Sequence, residues 1–309
     1  MNVLTKSKMY GDIKEYSKIY SGLRDFTKYV ITGDTDSIFV CLQDFITNSK
    51  DDKENVSNVL SLCDKVENFL NNNVVPEVVK KHQADLSRNK LKVKNELVCK
   101  RGLFLVKKRY ALRVIFKEGK EKNETEIKGI ETRRSDYPSL TKEYLKELLD
   151  MILIPKEISI VDILDYVENR REEIIKKIIT GDKSIARPSS FGKEIINYKK
   201  VPQNVISMIN WNDLMYTHFY QGSRGYLFKI LGLNLDKAPE NVKSNYFKHF
   251  SSTGRKLEVI SVPRDEQRLP EFFIPNVKEM IKFSWDDRVN PIVEPLGLTK
   301  KPTLLTWED

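Results

Sequence analysis

The pentapeptide Gly33-Asp34-Thr35-Asp36-Ser37 restricts the fold of this chain most. It lies between two apolar runs, Tyr29-Val30-Ile31 and Ile38-Phe39-Val40. Both runs are rich in β-branched and aromatic residues, so they predict strands. The Gly-Asp step between them predicts a turn. Two carboxylates, Asp34 and Asp36, are therefore expected at the tip of a hairpin. In extended chain, residues i and i+2 point the same way. Two carboxylates held side by side repel unless a cation sits between them. Hard oxygen donors suit Mg²⁺, which takes one or two carboxylates and completes its shell with waters and phosphate oxygens. Taken alone, most Asp-x-Asp turns only face solvent.

Two further motifs follow in order. Lys107-Lys108-Arg109-Tyr110-Ala111 sits between the apolar run Leu103-Phe104-Leu105-Val106 and the alternating Leu112, Val114 and Phe116. The pattern predicts a basic cluster embedded in a strand, with Lys108 and Tyr110 on one face and Lys107 and Arg109 on the other. Gly129-Ile130-Glu131-Thr132-Arg133-Arg134-Ser135-Asp136 comes next. The three segments together resemble family B DNA polymerases. Gly-Asp-Thr-Asp-Ser is similar to that family's palm signature, with Thr32 where a Tyr is usual. Lys-Lys-Arg-Tyr-Ala is similar to its primer-side strand. The third resembles the passage from palm to thumb.

The resemblance implies an α+β fold: part of a polymerase palm, an antiparallel sheet with helices, over residues 1–138, then a mostly helical thumb over 139–309. It implies templated addition of a deoxynucleoside triphosphate (dNTP) to a primer end, with two Mg²⁺ ions about 4 Å apart. Asp36 would be the direct ligand of both metals and Asp34 the supporting carboxylate. Glu96 matches a palm acid that tunes the site, and Lys108 would lie close to the metals and the primer end. Lys107, Lys108, Arg109 and Tyr110 would hold primer–template DNA. Arg133 and Arg134 are candidates for phosphate contacts, which position DNA without reading its sequence. Arg187, Lys193 and Arg224 are the thumb candidates. Gly222-Ser223-Arg224-Gly225-Tyr226 and the stretch from Trp285 to Leu298 resemble phage-type thumbs of the same family.

What the family has and this sequence lacks shapes the expectation equally. There is no Asp-x-x-Ser-Leu-Tyr-Pro-type motif, no fingers segment of the Asn-Ser-Leu-Tyr-Gly kind and no set of exonuclease carboxylates. The chain begins with Met1 directly before what would be the last palm helix and finishes near the expected end. Two expectations follow: the C-terminal subunit of a naturally split polymerase, as occurs among phages of this family, or a fragment of a longer product. Either way the two-metal site needs an N-terminal polypeptide carrying exonuclease, fingers and the rest of the palm. One side of the palm sheet is expected to be left open for that partner. A sliding clamp is a further candidate partner. The rival reading is a catalytically inactive module that only grips duplex DNA, and a nucleotide cyclase is a more distant one.

Charge agrees with a polyanionic ligand. The net charge is +9, and residues 80–134 hold 18 Lys or Arg against 7 Asp or Glu, a balance of +11. The whole positive excess thus falls between the carboxylate hairpin and the presumed thumb. Cys41, Cys63 and Cys99 lack Cys-x-x-Cys spacing and read as inert thiols of a reducing, cytoplasmic compartment (host cytoplasm for a viral protein). No apolar run approaches the ~20 residues of a membrane span and no secretory leader is apparent, so no membrane partner is expected. Periodicity predicts helices over about 9–23, 54–72 and 160–179, and another after Pro138 with Leu140, Tyr144, Leu145 and Leu148 at helical spacing and Ser139 or Thr141 as a cap. A polar loop is expected over 45–53. Three asparagines should close the helix near 72, and Pro76 should open another. Strands are expected over 90–130 with a turn at Glu118-Gly119. An extended stretch should cover 186–200, a helix should follow Pro202, and a strand should cover 257–263.

Overall fold

The computed structural model describes residues 3–5, 30–33, 37–42, 52–130, 137–155, 157, 159–216 and 218–298. The chain divides into two compact units, residues 1–130 and 131–309. The helix expected over 9–23 lies outside the described residues.

In the first unit, β1 (Val3–Thr5) runs parallel to β4 (Leu97–Val106), which pairs antiparallel with β5 (Arg109–Lys117). The latter pairs in turn with β6 (Lys120–Lys128), giving the order β1-β4-β5-β6. Both expected hairpins form: β2 (Val30–Gly33) with β3 (Ile38–Val40), and β5 with β6 around Glu118-Gly119. Leu103, Ala111 and Ile127 align across three strands and are buried. On β4 and β5, Phe104, Tyr110, Leu112 and Val114 form a second buried cluster. Both faces of the central strands are thus apolar. One edge of the sheet is paired with β1 along Gly102 to Phe104. The other edge, Lys-Glu-Lys-Asn-Glu-Thr-Glu-Ile-Lys, is dense in charge, which discourages pairing with a further strand.

The helical part departs from expectation at the asparagines. Helix α1 (Asp52–Phe69) starts inside the expected polar loop and continues through a π-turn (Leu70–Val74) into α2 (Val75–Lys81). Asn71, Asn72 and Asn73 therefore do not stop the helix. The physical reason is the Asn71 side chain, which donates to the Val93 carbonyl and accepts from the Val93 N–H, both at 2.8 Å. Glu67 adds a bond from the Asn95 N–H at 3.0 Å. The wide turn thus anchors the segment leading into β4. Pro76 does sit in the first turn of α2, where its missing N–H costs nothing.

The second unit is built of helices and a sheet. Helices α3 (Ser139–Leu153) and α4 (Ile160–Ile179) bury Tyr144, Leu145, Leu148, Leu149, Ile163, Ile174 and Ile178. Neither Ser139 nor Thr141 caps α3: Pro138 occupies that place. The Thr141 hydroxyl is fully buried and donates instead to the Ser284 carbonyl at 2.9 Å. Helix α4 is capped by Ser159 and stops at Gly181, whose φ of +71° suits glycine. Of the expected extended stretch 186–200, only β7 (Arg187–Ser190) is a strand. Helix α5 (Gln203–Leu214) follows Pro202, then β8 (Arg224–Leu233), α6 (Glu240–Tyr246), β9 (Val259–Pro263), β10 (Phe273–Pro275), α7 (Val277–Ile281) and α8 (Asp287–Val293). Strand β8 pairs with β7, β9 and β10. A buried chain of hydroxyls, Ser189–Ser261–Ser207 at 2.9 and 2.7 Å, ties this sheet to α5. The fold is α+β. Among the described residues no helix is long and apolar enough to cross a membrane.

Cys99 packs against the Phe104–Val114 cluster, and burial pushes its thiol up to about 11. A thiol raised from 9 to 11 holds roughly a hundredfold less thiolate near neutral pH. In a chain whose other cysteines are changed to serine, Cys99 is expected to react with a disulfide reagent about a hundredfold more slowly than in the urea-unfolded chain. Equal rates in the two states would show that the site is open.

Candidate functional site

The carboxylate motif is carried by the β2–β3 hairpin. Gly33 faces Ile38, Thr32 faces Phe39 and Val30 faces Val40, so the strands close toward residues 34–36. Asp34 and Asp36 themselves lie outside the described residues, as do Arg133 and Arg134. What the structure supplies is the seat of the hairpin. The Phe39 ring makes edge-on contacts with Phe104, at a centroid distance of 5.2 Å, and with Tyr110, at 5.1 Å. Phe104 and Tyr110 are 5.7 Å apart. Ile31 joins Phe39 against the same cluster. The strand that follows Asp36 is thereby docked on the strand that follows Lys108. Such ring pairs contribute about 0.5–1.5 kcal/mol each beyond their buried area.

Lys107 and Lys108 do not continue a strand. They form the two-residue turn between β4 and β5, with Val106 opposite Arg109, and Lys108 has φ +64°. A left-handed residue breaks the two-residue alternation, so the expected split of Lys108 with Tyr110 and Lys107 with Arg109 does not hold. Both lysines are exposed at the turn, whereas Tyr110 is a core residue with Lys128 Nζ 5.8 Å above its ring. The turn is pinned from the third motif. Gly129 (φ +70°) lies so close that a β-carbon there would run into the Lys108 carbonyl, and Arg109 Nε donates to the Gly129 carbonyl at 3.2 Å. Hairpin, basic turn and Gly129 are thus brought together within one unit. Glu96 lies at the far end of β4 from the basic turn. It is exposed, and its carbonyl accepts from the Glu118 N–H at the opposite end of the ten-residue β4, about 35 Å along the strand from Lys107.

The basic residues differ in how they are held. Lys117 pairs with Glu126 at 2.6 Å, which raises the lysine's pKa, and Arg113 bonds to Thr125 and Asn123. Lys90, Lys92 and Lys94 are exposed on the segment that Asn71 anchors, and Lys107 and Lys108 are exposed at the turn. In the second unit, Arg187 lies with its guanidinium 5.6 Å from the Phe283 ring centroid. Lys193 and Arg224 are exposed near the other end of the β7–β8 pair, where Ser190 faces Arg224 and Phe191 bonds to Ser223. Among the described residues no group of three or more His, Cys, Asp or Glu is placed to hold a metal. The roles of Phe39, Phe104 and Gly129 were not foreseen from the sequence. Phe39 could have been found from its alternation within the hairpin, but nothing local ties Gly129 to a turn twenty residues earlier.

Residues 2–204 match the family model for DNA polymerase family B. The chain belongs to this family. A relative, the DNA polymerase alpha catalytic subunit of Arabidopsis thaliana, is 31% identical over 159 residues, which is 51% of this chain and 9% of the plant subunit. The family B DNA polymerase of the archaeon Pyrobaculum calidifontis aligns over 95% of this chain and 31% of its own, with 17% identity and a TM-score of 0.48. The chain therefore spans a small part of the length of these polymerases. The resemblance carried by the three motifs is borne out at the level of the family.

The pinning of the basic turn is testable in this family B chain. Gly129→Ala puts a β-carbon into the Lys108 carbonyl at a positive φ, so the turn must shift. Unfolding in urea is expected to show a destabilisation of about 1–3 kcal/mol for the first unit. A change of under about 0.5 kcal/mol would show that the turn is not clamped.

Proposed function

We propose that this chain is the C-terminal part of a DNA-directed DNA polymerase, holding one carboxylate motif of the palm and the surface that grips primer–template DNA. On this reading residues 1–138 belong to the palm and 139–309 to the thumb. The observation that carries it is the docking of the β2–β3 hairpin on β4 and β5, the two strands joined by the Lys107-Lys108 turn, through Phe39, Phe104 and Tyr110. A surface that merely binds duplex gains nothing from the two carboxylates of an Asp-x-Asp motif, which argues against the inactive-module reading. The donor set at the tip is two hard carboxylates, which fits Mg²⁺. Asp36 would be the ligand shared by two ions and Asp34 its support. Bound there, Mg²⁺ supplies activation of the primer hydroxyl and charge neutralisation on the triphosphate. The chain's own residues position the DNA: Lys107, Lys108 and Arg109 beside the primer end, Arg133 and Arg134 on phosphates, and Arg187, Lys193 and Arg224 along the thumb.

The missing Asp-x-x-Ser-Leu-Tyr-Pro and fingers motifs make the site depend on a polypeptide that carries them. That partner supplies the second metal-binding Asp and the dNTP site. An interface of the obligate kind, above about 2,000 Å², suits such a division of a palm. The partner's strand need not add to β4 where β1 already pairs. The isolated chain is expected to add no nucleotides in a primer-extension assay, and mixing with the complementing polypeptide should restore Mg²⁺-dependent extension. Robust extension by the highly purified chain alone would overturn the incomplete-site reading.

In that reconstituted complex, Asp36→Ala should abolish nucleotide addition while leaving duplex binding intact. Removing a ligand shared by two metals should cost at least ~4 kcal/mol of transition-state stabilisation, about a thousandfold in rate. Asp34→Ala should be milder. Near-normal polymerisation by the Asp36 variant would sink the assignment.

The grip is tested separately. Changing Lys107, Arg109 and Arg133 together to Ala should weaken duplex binding at every sequence alike. For every phosphate that is no longer neutralised, the log-affinity against log-salt slope should flatten by about 0.9. Unchanged affinity and slope would mean that these side chains serve only the solvated surface.

A further inference from the structure

Large aromatic side chains are normally buried, because each removes 150–250 Å² from water. The loop joining α5 to β8 does the opposite. Tyr216 is 79% exposed and Tyr220 is 73% exposed, and His218 between them is exposed as well. The loop is nonetheless fixed to the fold. Phe219 is buried, and its backbone is held on both sides by the Asn212 side chain, which accepts from the Phe219 N–H at 2.6 Å and donates to its carbonyl at 2.8 Å. The Phe219 ring fills the space against Gly225, where a β-carbon would collide with it. Ser223 Oγ accepts from the Tyr220 N–H at 3.0 Å, and the Ser223 N–H donates to the Tyr220 carbonyl at 2.9 Å. The Gly222 N–H donates to the Phe191 carbonyl at 2.7 Å, and the Phe191 N–H donates to the Ser223 carbonyl at 3.0 Å. Tyr220 therefore stands on a fixed frame, and Tyr216 lies just past the end of α5, so a ligand that meets the rings costs little ordering entropy.

The charge around this frame selects the ligand. Lys193, two residues beyond Phe191, and Arg224, next to Ser223, are both exposed. Asp213, the acid at the end of α5, is already paired with Arg255 at 2.6 Å. Flat exposed rings interleaved with exposed cations match unpaired bases flanked by phosphates. Every base offers a face for stacking, and each phosphate offers a charge to an arginine or lysine. We propose that Tyr216 and Tyr220, with Lys193 and Arg224, form a stacking platform for a single-stranded stretch of nucleic acid. The two tyrosines take bases, and the two cations take the adjoining phosphates. The proposal rests on the polymerase reading only for the class of ligand. The rings lie in the second unit, and the carboxylate hairpin belongs to the first.

The test measures binding of the full chain to a fluorescent oligothymidylate of about 16 nucleotides, with a blunt DNA duplex in parallel. Tyr216→Ala and Tyr220→Ala are each expected to weaken oligothymidylate binding on the order of tenfold without changing the salt slope. Tyr220→Trp should hold or tighten it. Lys193→Ala and Arg224→Ala should each flatten the slope by about 0.7. Ile196→Ser removes a neighbouring apolar side chain that is 87% exposed but has no ring, and should leave affinity unchanged. If the double tyrosine variant binds as tightly as the unchanged chain, the platform is overturned. It is equally overturned if Tyr220→Trp weakens binding as much as Tyr220→Ala, or if Ile196→Ser weakens it as much as either tyrosine variant, since the surface is then a general apolar patch. A chain that binds duplex but not oligothymidylate overturns the platform and leaves the polymerase reading standing. One that binds neither overturns both.

Discussion

The first unit depends on three rings. Phe39, Phe104 and Tyr110 come from three strands, and their mutual contacts fix the β2–β3 hairpin on β4 and β5. Without them the hairpin would be two short strands with no sheet neighbour among the described residues, which is marginal in water. With them, the strand that carries the chain away from Asp36 and the strand that carries it away from Lys108 share one apolar seat. The β2–β3 hairpin and the strands on either side of the exposed lysine turn are then joined by packing. The same geometry explains why Tyr110 is buried although it belongs to a basic motif. Its ring belongs to the seat, and the exposed cations of the turn precede it.

A second constraint is backbone geometry at the turn. Lys108 adopts a left-handed conformation that is unfavourable for lysine, and Gly129 approaches its carbonyl as only glycine can. Strained residues of this kind persist when their surroundings over-determine them. Here the bond from Arg109 to the Gly129 carbonyl and the buried Ile130 do so. The arrangement links the basic motif to the motif that begins at Gly129, so a change at either is felt at the other. In the second unit the equivalent rigidity comes from buried polar groups. The Ser189–Ser261–Ser207 hydroxyls and the bond from Asn210 to the Val259 carbonyl fasten α5 to the sheet. That helix in turn holds the tyrosine loop through Asn212.

The sequence by itself determined the hairpins, most helices and the family. Alternation of apolar residues over 97–128, helical spacing over 139–179 and the order of three motifs all survive in the structure, because each is set by local periodicity or by contiguous residues. Tertiary structure alone decided the rest. The asparagines at 71–73 read as a stop, yet the helix runs through them, because Asn71 finds both polar groups of Val93 far along the chain. Thr141 read as a cap and became a core residue, because its hydroxyl meets the carbonyl of Ser284. Lys107 and Lys108 read as strand and form a turn, because Gly129 closes against them. In each case the deciding partner is twenty or more residues away, and a hydrogen bond or a steric contact at that distance leaves no periodic trace in the sequence.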